Sequence, residues 1–112
     1  MRIGKSEVVR LLKELSDIEL QKKLWLSDGA NGADVSSYTE AVCQLFGDTG
    51  LKDELENPQV VLTVDIDKDL RELDRITDHV DLNIATYEMI ASAPMQDVRR
   101  FAAAIRNKLL DI

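Results

Sequence analysis

The 112-residue chain is predicted to be all-α, a single domain over residues 1–112 folded as one compact bundle of five to seven short helices. Three observations predict this. Apolar residues recur at spacings of three and four along most of the chain, as a helix with one buried stripe requires. Capping boxes, glycines and prolines break the pattern at short intervals. The one run rich in β-branched residues, Val60 to Val64, has no evident strand to pair with, and a lone strand leaves its backbone groups unsatisfied. At 45% apolar and 31% charged residues the composition is that of a folded domain, long enough to bury one core without disulfides or metals.

In chain order, Ser6 is a candidate cap for a first helix with Val8, Leu11, Leu12 and Leu15 on one stripe. Continuing that helix would turn Leu20 and Leu24 to the opposite side. Ser16 and Glu19 stand at capping-box spacing, so a break and a second helix from Asp17 to Leu26 are expected. Trp25, near its end, is a core or groove anchor. Ser27 to Asp34 reads as a surface loop, its Asp-Gly and Asn-Gly pairs suited to positive backbone dihedrals. The Gly-Lys-Ser/Thr ending of a phosphate loop is missing from it. Ser37 and Glu40 form a second capping box, opening a helix through Phe46 that buries Tyr38, Ala41, Val42 and Leu45 and ends at Gly47.

A short helical turn at Leu51 to Glu56 closes at Asn57-Pro58, because the residue before proline is pushed out of the helical region. Val60 to Val64 admits a strand, but Leu62, Ile66, Leu70, Leu73, Thr77 and Val80 follow helical spacing. A helix from about Val64 to Val80, capped by Thr63, is therefore expected, with Asp65 and Asp67 at the positive end of its dipole. Asp81 is a candidate cap for a helix through Leu82, Ala85, Thr86, Met89 and Ile90. Pro94 suits a first helical turn. The last helix, about Met95 to Leu110, carries Val98, Phe101, Ala102, Ile105 and Leu109 on one face.

Charge is the second organising feature. The chain carries a net charge of -7, and all of it falls between Asp48 and Asp81, where 11 acids face 4 bases; elsewhere ten of each cancel. An acidic surface disfavours nucleic acid as a direct ligand, since affinity for phosphates comes from Lys and Arg. It attracts basic surfaces, or simply keeps the protein soluble. No apolar run approaches the roughly 18 residues of a membrane span. The first 13 residues lack the apolar stretch of a signal peptide. The single cysteine, Cys43, fits a reducing compartment, so a cytoplasmic location is expected.

No catalytic, cofactor or metal constellation is expected. Asp65, Asp67 and Asp69 alternate as at the start of an EF-hand loop, but the required glycine and bidentate glutamate positions hold Leu70 and Ile76. Cys43 and His79 are the only thiol and imidazole, and no third group in the sequence orients them. They read as a half-buried passive thiol and a helix-surface histidine. The clustered carboxylates carry no mark of burial or perturbation.

What remains is the acidic helix. At 100° per residue, Asp67, Asp74, Asp78 and Asp81 fall within roughly a 60° sector beside the apolar stripe. This flank, extended by Asp53 and Glu54, is the candidate partner-binding surface for a protein with a basic face. The competing reading is a solvated face held by the spaced pairs Asp67 with Arg71 and Lys68 with Glu72.

Two stretches, DIELQKKLWL at Asp17 to Leu26 and SSYTEAVCQLFGD at Ser36 to Asp48, resemble segments of small acidic bacterial immunity proteins of the contact-dependent growth-inhibition type. The resemblance implies a cytoplasmic protein that binds and neutralises a toxin domain, often a nuclease with a basic cleft. It assigns no individual binding residue. The sequence thus predicts a non-catalytic binding protein; the alternative is a structural or regulatory subunit that self-associates through apolar helix faces near Trp25.

Overall fold

A computed structural model of the chain describes residues 5–26, 37–56 and 60–111. The expected loop at Ser27 to Asp34 and the Asn57-Pro58 stop lie outside the described residues. The fold is all-α: α1 (Lys5–Ser16), α2 (Ile18–Trp25), α3 (Tyr38–Val42), α4 (Leu51–Glu56), α5 (Val64–Thr77), α6 (Thr86–Ala91) and α7 (Ala93–Leu110). No strand occurs among the described residues, and Val60 to Leu62 form a bend leading into α5.

α7 is the axis of the bundle, packed most extensively on α1 and α5. Its buried residues Met95, Val98, Ala102, Ile105 and Leu109 alternate three and four apart, which keeps one stripe inward over 18 residues. Val8, Leu11, Leu12 and Leu15 of α1 and Ile66, Leu70 and Leu73 of α5 face it from either side. One cluster of buried side chains links all seven helices. Each fully buried leucine in it contributes about 1.5–3 kcal/mol relative to exposure, so the three stripes dominate the stability.

The breaks between helices have local causes. Ser6 lies inside α1, which has already begun at Lys5, so it is not the cap. At the α1–α2 break the capping residue is Asp17 rather than Ser16: its Oδ1 accepts from the amides of Glu19 at 3.0 Å and Leu20 at 3.2 Å. The Ser16 hydroxyl donates backwards to the Lys13 carbonyl at 3.0 Å. Ser37 caps α3 as expected, its Oγ accepting from Glu40 N at 3.0 Å. α3 does not stop at Gly47. It widens into a π-helical turn over Cys43–Asp48, in which Leu45 and Phe46 are buried and Cys43 is exposed rather than half-buried.

Thr49 then joins two helices. Its hydroxyl donates to the Leu45 carbonyl at 2.6 Å and accepts from Leu51 N at 3.2 Å, closing α3 and opening α4. Gly50 sits beside it with φ +77°, a left-handed conformation that glycine adopts without steric cost. Thr63 caps α5, accepting from Ile66 N at 3.0 Å. Ser92 caps α7, accepting from Met95 N at 3.4 Å, and Pro94 sits in the first turn.

Asp81 does not cap a helix. Its Oδ1 accepts from Asn83 N at 2.8 Å, folding residues 81–85 into an irregular turn, and α6 starts only at Thr86. An Asp bonding the backbone two residues on stabilises a turn in place of a helix.

Candidate functional site

The acidic flank of α5 does not survive intact as a surface. Asp67 is 2% exposed. Its two carboxylate oxygens accept from Val61 N at 2.8 Å and Leu62 N at 3.0 Å, so it ties the incoming chain to the helix start. The placement of Asp67 among the partner-binding acids is therefore corrected: a helical projection sets its direction around the axis, but the preceding segment folds back over it. Asp74 is half-buried, with Lys52 of α4 at 3.6 Å. Asp53 is exposed on α4 and Glu54 half-buried. Asp78 and Asp81 are exposed, beyond the end of α5.

The expected pairs within α5 are also replaced. Arg71 donates from Nε and Nη2 to the Leu55 carbonyl at 3.1 and 2.9 Å, satisfying the last turn of α4. Glu72 pairs with Arg75 instead of Lys68. On the opposite side, Lys108 of α7 bridges Asp65 at 2.8 Å and Asp69 at 2.5 Å, and those two carboxylates hold the ammonium protonated above the usual lysine range.

Beyond α5 the picture inverts. From Ile76 to Val98 the sequence holds Asp78, Asp81, Glu88 and Asp97 but no Lys or Arg. Every residue from Asp81 to Glu88 is exposed, among them Leu82, Ile84 and the 64%-exposed Tyr87. Among the described residues no cation stands within ion-pair distance of Asp78, Asp81 or Glu88.

Beneath this segment lies a cleft of about 150 Å³ between α2, α3 and α6, lined by Trp25, Tyr38, Asp81, Leu82, Ile84 and Met89 among others. Its inner wall is held rigidly. Trp25 Nε1 donates to Glu14 Oε2 at 2.9 Å. The Trp25 and Tyr38 rings meet edge to face at 5.9 Å, and the Tyr38 hydroxyl donates to the Thr77 carbonyl at 2.7 Å. Burial pushes the Tyr38 phenol well above its ordinary range, and the Asp78 carboxylate pushes the same way.

A polar network that the sequence reading did not identify anchors α2 behind this wall. Gln21 is fully buried; its Nε2 donates to the carbonyls of Glu14 at 3.0 Å and Leu15 at 2.8 Å. Arg99 Nη1 of α7 donates to Gln21 Oε1 at 3.0 Å and to the Ile90 carbonyl of α6 at 2.9 Å. Glutamine thereby satisfies two carbonyls that the end of α1 leaves without helical partners.

Among the described residues no three His, Cys, Asp or Glu side chains converge as metal ligands, and no helix is long and apolar enough to cross a membrane. His79 is exposed in the turn after α5. No protein-family model matches the chain, and neither a curated protein nor a solved structure does. The class is thus defined by the fold itself, an all-α bundle with an acid-edged cleft of mixed polar and apolar lining between α2, α3 and α6.

Proposed function

We propose that the chain is a non-catalytic protein-binding module acting in the cytoplasm, most concretely a bacterial immunity protein that occludes a basic toxin surface. The observation that supports this reading is the segment Asp78 to Glu88: three carboxylates that meet no cation among the described residues, interleaved with exposed Leu82, Ile84 and Tyr87. Protein interfaces combine such a core of aromatic and aliphatic anchors with a charged rim that steers encounter. The docking surface is this segment with Asp78 and Asp81, joined by Asp53 and Glu54 where the partner extends over α4.

The experiment is binding to the polypeptide encoded immediately upstream, followed by surface plasmon resonance across a salt series. Association that slows steeply with salt supports the reading. Binding that is absent, or indifferent to salt, overturns it.

Self-association through apolar helix faces is the second reading, favoured by the same exposed Leu82, Ile84 and Tyr87. A symmetric dimer at this face would bring the carboxylates of both copies together without counter-ions, which opposes it. Sedimentation over a concentration range separates the two: a salt-insensitive homodimer would select the second.

A further inference from the structure

The cleft under residues 81–88 differs from the open acidic surfaces in having walls. At about 150 Å³ it is smaller than the roughly 300–1,000 Å³ of small-molecule sites, and its scale suits a single inserted side chain. Trp25, Tyr38, Leu82 and Ile84 supply apolar lining, while Asp81 and the hydroxyl residues Ser37, Thr39 and Thr86 supply oxygen acceptors. Asp81 uses Oδ1 on Asn83 N, and its Oδ2 meets no donor among the described residues. The 23 residues from Ile76 to Val98 contain no Lys or Arg that could reach in from the same segment.

We propose that this cleft anchors one arginine side chain of the protein partner, its methylene stem lying along Leu82 and Ile84 and its guanidinium meeting the Asp81 carboxylate. The assignment rests on the protein-binding reading above and specifies its chemistry. An anionic group is repelled by Asp81 and Asp78. A purely apolar side chain would strip water from the Asp81 carboxylate without replacing its hydrogen bonds. A lysine ammonium balances the charge, but it is a strongly hydrated point that gains little from aromatic walls. The guanidinium is more weakly hydrated, planar, and carries five donors that a carboxylate and a neighbouring hydroxyl satisfy together.

Trp25 is the only tryptophan in the chain, so the site carries its own reporter. The test titrates the full chain with N-acetyl-arginine methylamide, and with the citrulline and lysine counterparts, reading the Trp25 indole N–H and the amides of residues 81–86 by NMR. Saturable shifts at these positions with the arginine compound, at least several-fold larger than with the other two, are expected. Asp81→Asn retains the bond to Asn83 and should weaken the arginine response about tenfold, with the helical circular dichroism unchanged as the folding control. Asp78→Asn, which alters no wall of the cleft, should weaken it less. Equal responses to arginine and citrulline, equal responses to arginine and lysine, or an Asp81→Asn response equal to wild type would each overturn the assignment. Partner association and its salt dependence are measured separately. If they persist while the arginine titration fails, only the cleft is lost; if partner binding itself is absent, the functional reading falls with it.

Discussion

Two acidic regions adjoin in this molecule, and their carboxylates have opposite fates. Along α5, Asp67 holds two backbone amides, Asp65 and Asp69 hold Lys108, Asp74 faces Lys52 and Glu72 pairs with Arg75. Just past the helix, Asp78, Asp81 and Glu88 meet no cation among the described residues, and the side chains between them are exposed. The denser group of acids is thus the internally satisfied one. Charge density in a sequence measures what a partner could meet only after the chain's own amides and bases have taken their share.

The sharpest way to break this contrast is at Asp67. Replacing it with alanine leaves the Val61 and Leu62 amides without their charged acceptor, and about 3 kcal/mol of stability should be lost, read as a lower urea midpoint. A loss under about 0.5 kcal/mol would place Asp67 with the dispensable surface charges instead. Gln21→Leu comes next, at about 2 kcal/mol, because two carbonyls of α1 and one donor of Arg99 lose their partner in the interior. Should Gln21→Leu melt like the parent, the buried network behind Trp25 would not be what fixes α2.

The stripes of α1, α5 and α7 were legible because helical period is a local property: Ile66, Leu70, Leu73, Thr77 and Val80 declare one face whatever packs on it. Thr63, Ser37 and Pro94 were legible for the same reason, since a cap acts within one turn. Asp67 and Gln21 were not. The carboxylate of Asp67 reaches back past Thr63 to amides five and six residues earlier, much as a capping-box side chain does, but from one position later than that pattern uses. Gln21 meets Arg99 across 78 residues, and nothing in either residue's neighbourhood announces the other. At the candidate site, charge and the helical projection together single out Asp78 and Asp81. The apolar half, Leu82, Ile84 and Tyr87, was missed because Asp81 looked like a helix cap and Leu82 like the first buried residue of a helix. The turn that Asp81 forms with Asn83 delays the helix to Thr86 and leaves Leu82 and Ile84 exposed ahead of it.

Tyr38 lies where the two regions meet, and pH separates its role from theirs. Its phenol is kept neutral in the folded protein by burial, whereas in the unfolded chain it ionises at about pH 10. Its contribution is therefore complete below that pH and declines as pH rises above it. Lys108, held protonated by Asp65 and Asp69, weakens in the same direction. Tyr38→Phe should cost about 1 kcal/mol at neutral pH through the lost bond to Thr77, and should make the loss of stability above pH 10 shallower than in the parent. An unchanged alkaline slope would show that Tyr38 does not contribute to that loss.

The smallest expected stability change tests the other half of the comparison. Asp78→Asn with Asp81→Asn removes two carboxylates that hold no cation among the described residues, and asparagine keeps an acceptor for Asn83 N. Stability should stay within about 0.5 kcal/mol of the parent, or rise slightly as like charges are relieved. Association with a basic partner should nevertheless slow by about tenfold at low salt, with a flatter salt dependence. The opposite pattern, a large loss of stability with association unchanged, would show that these acids serve the fold as Asp67 does. In that case the exposed segment would owe any binding to Leu82, Ile84 and Tyr87 alone.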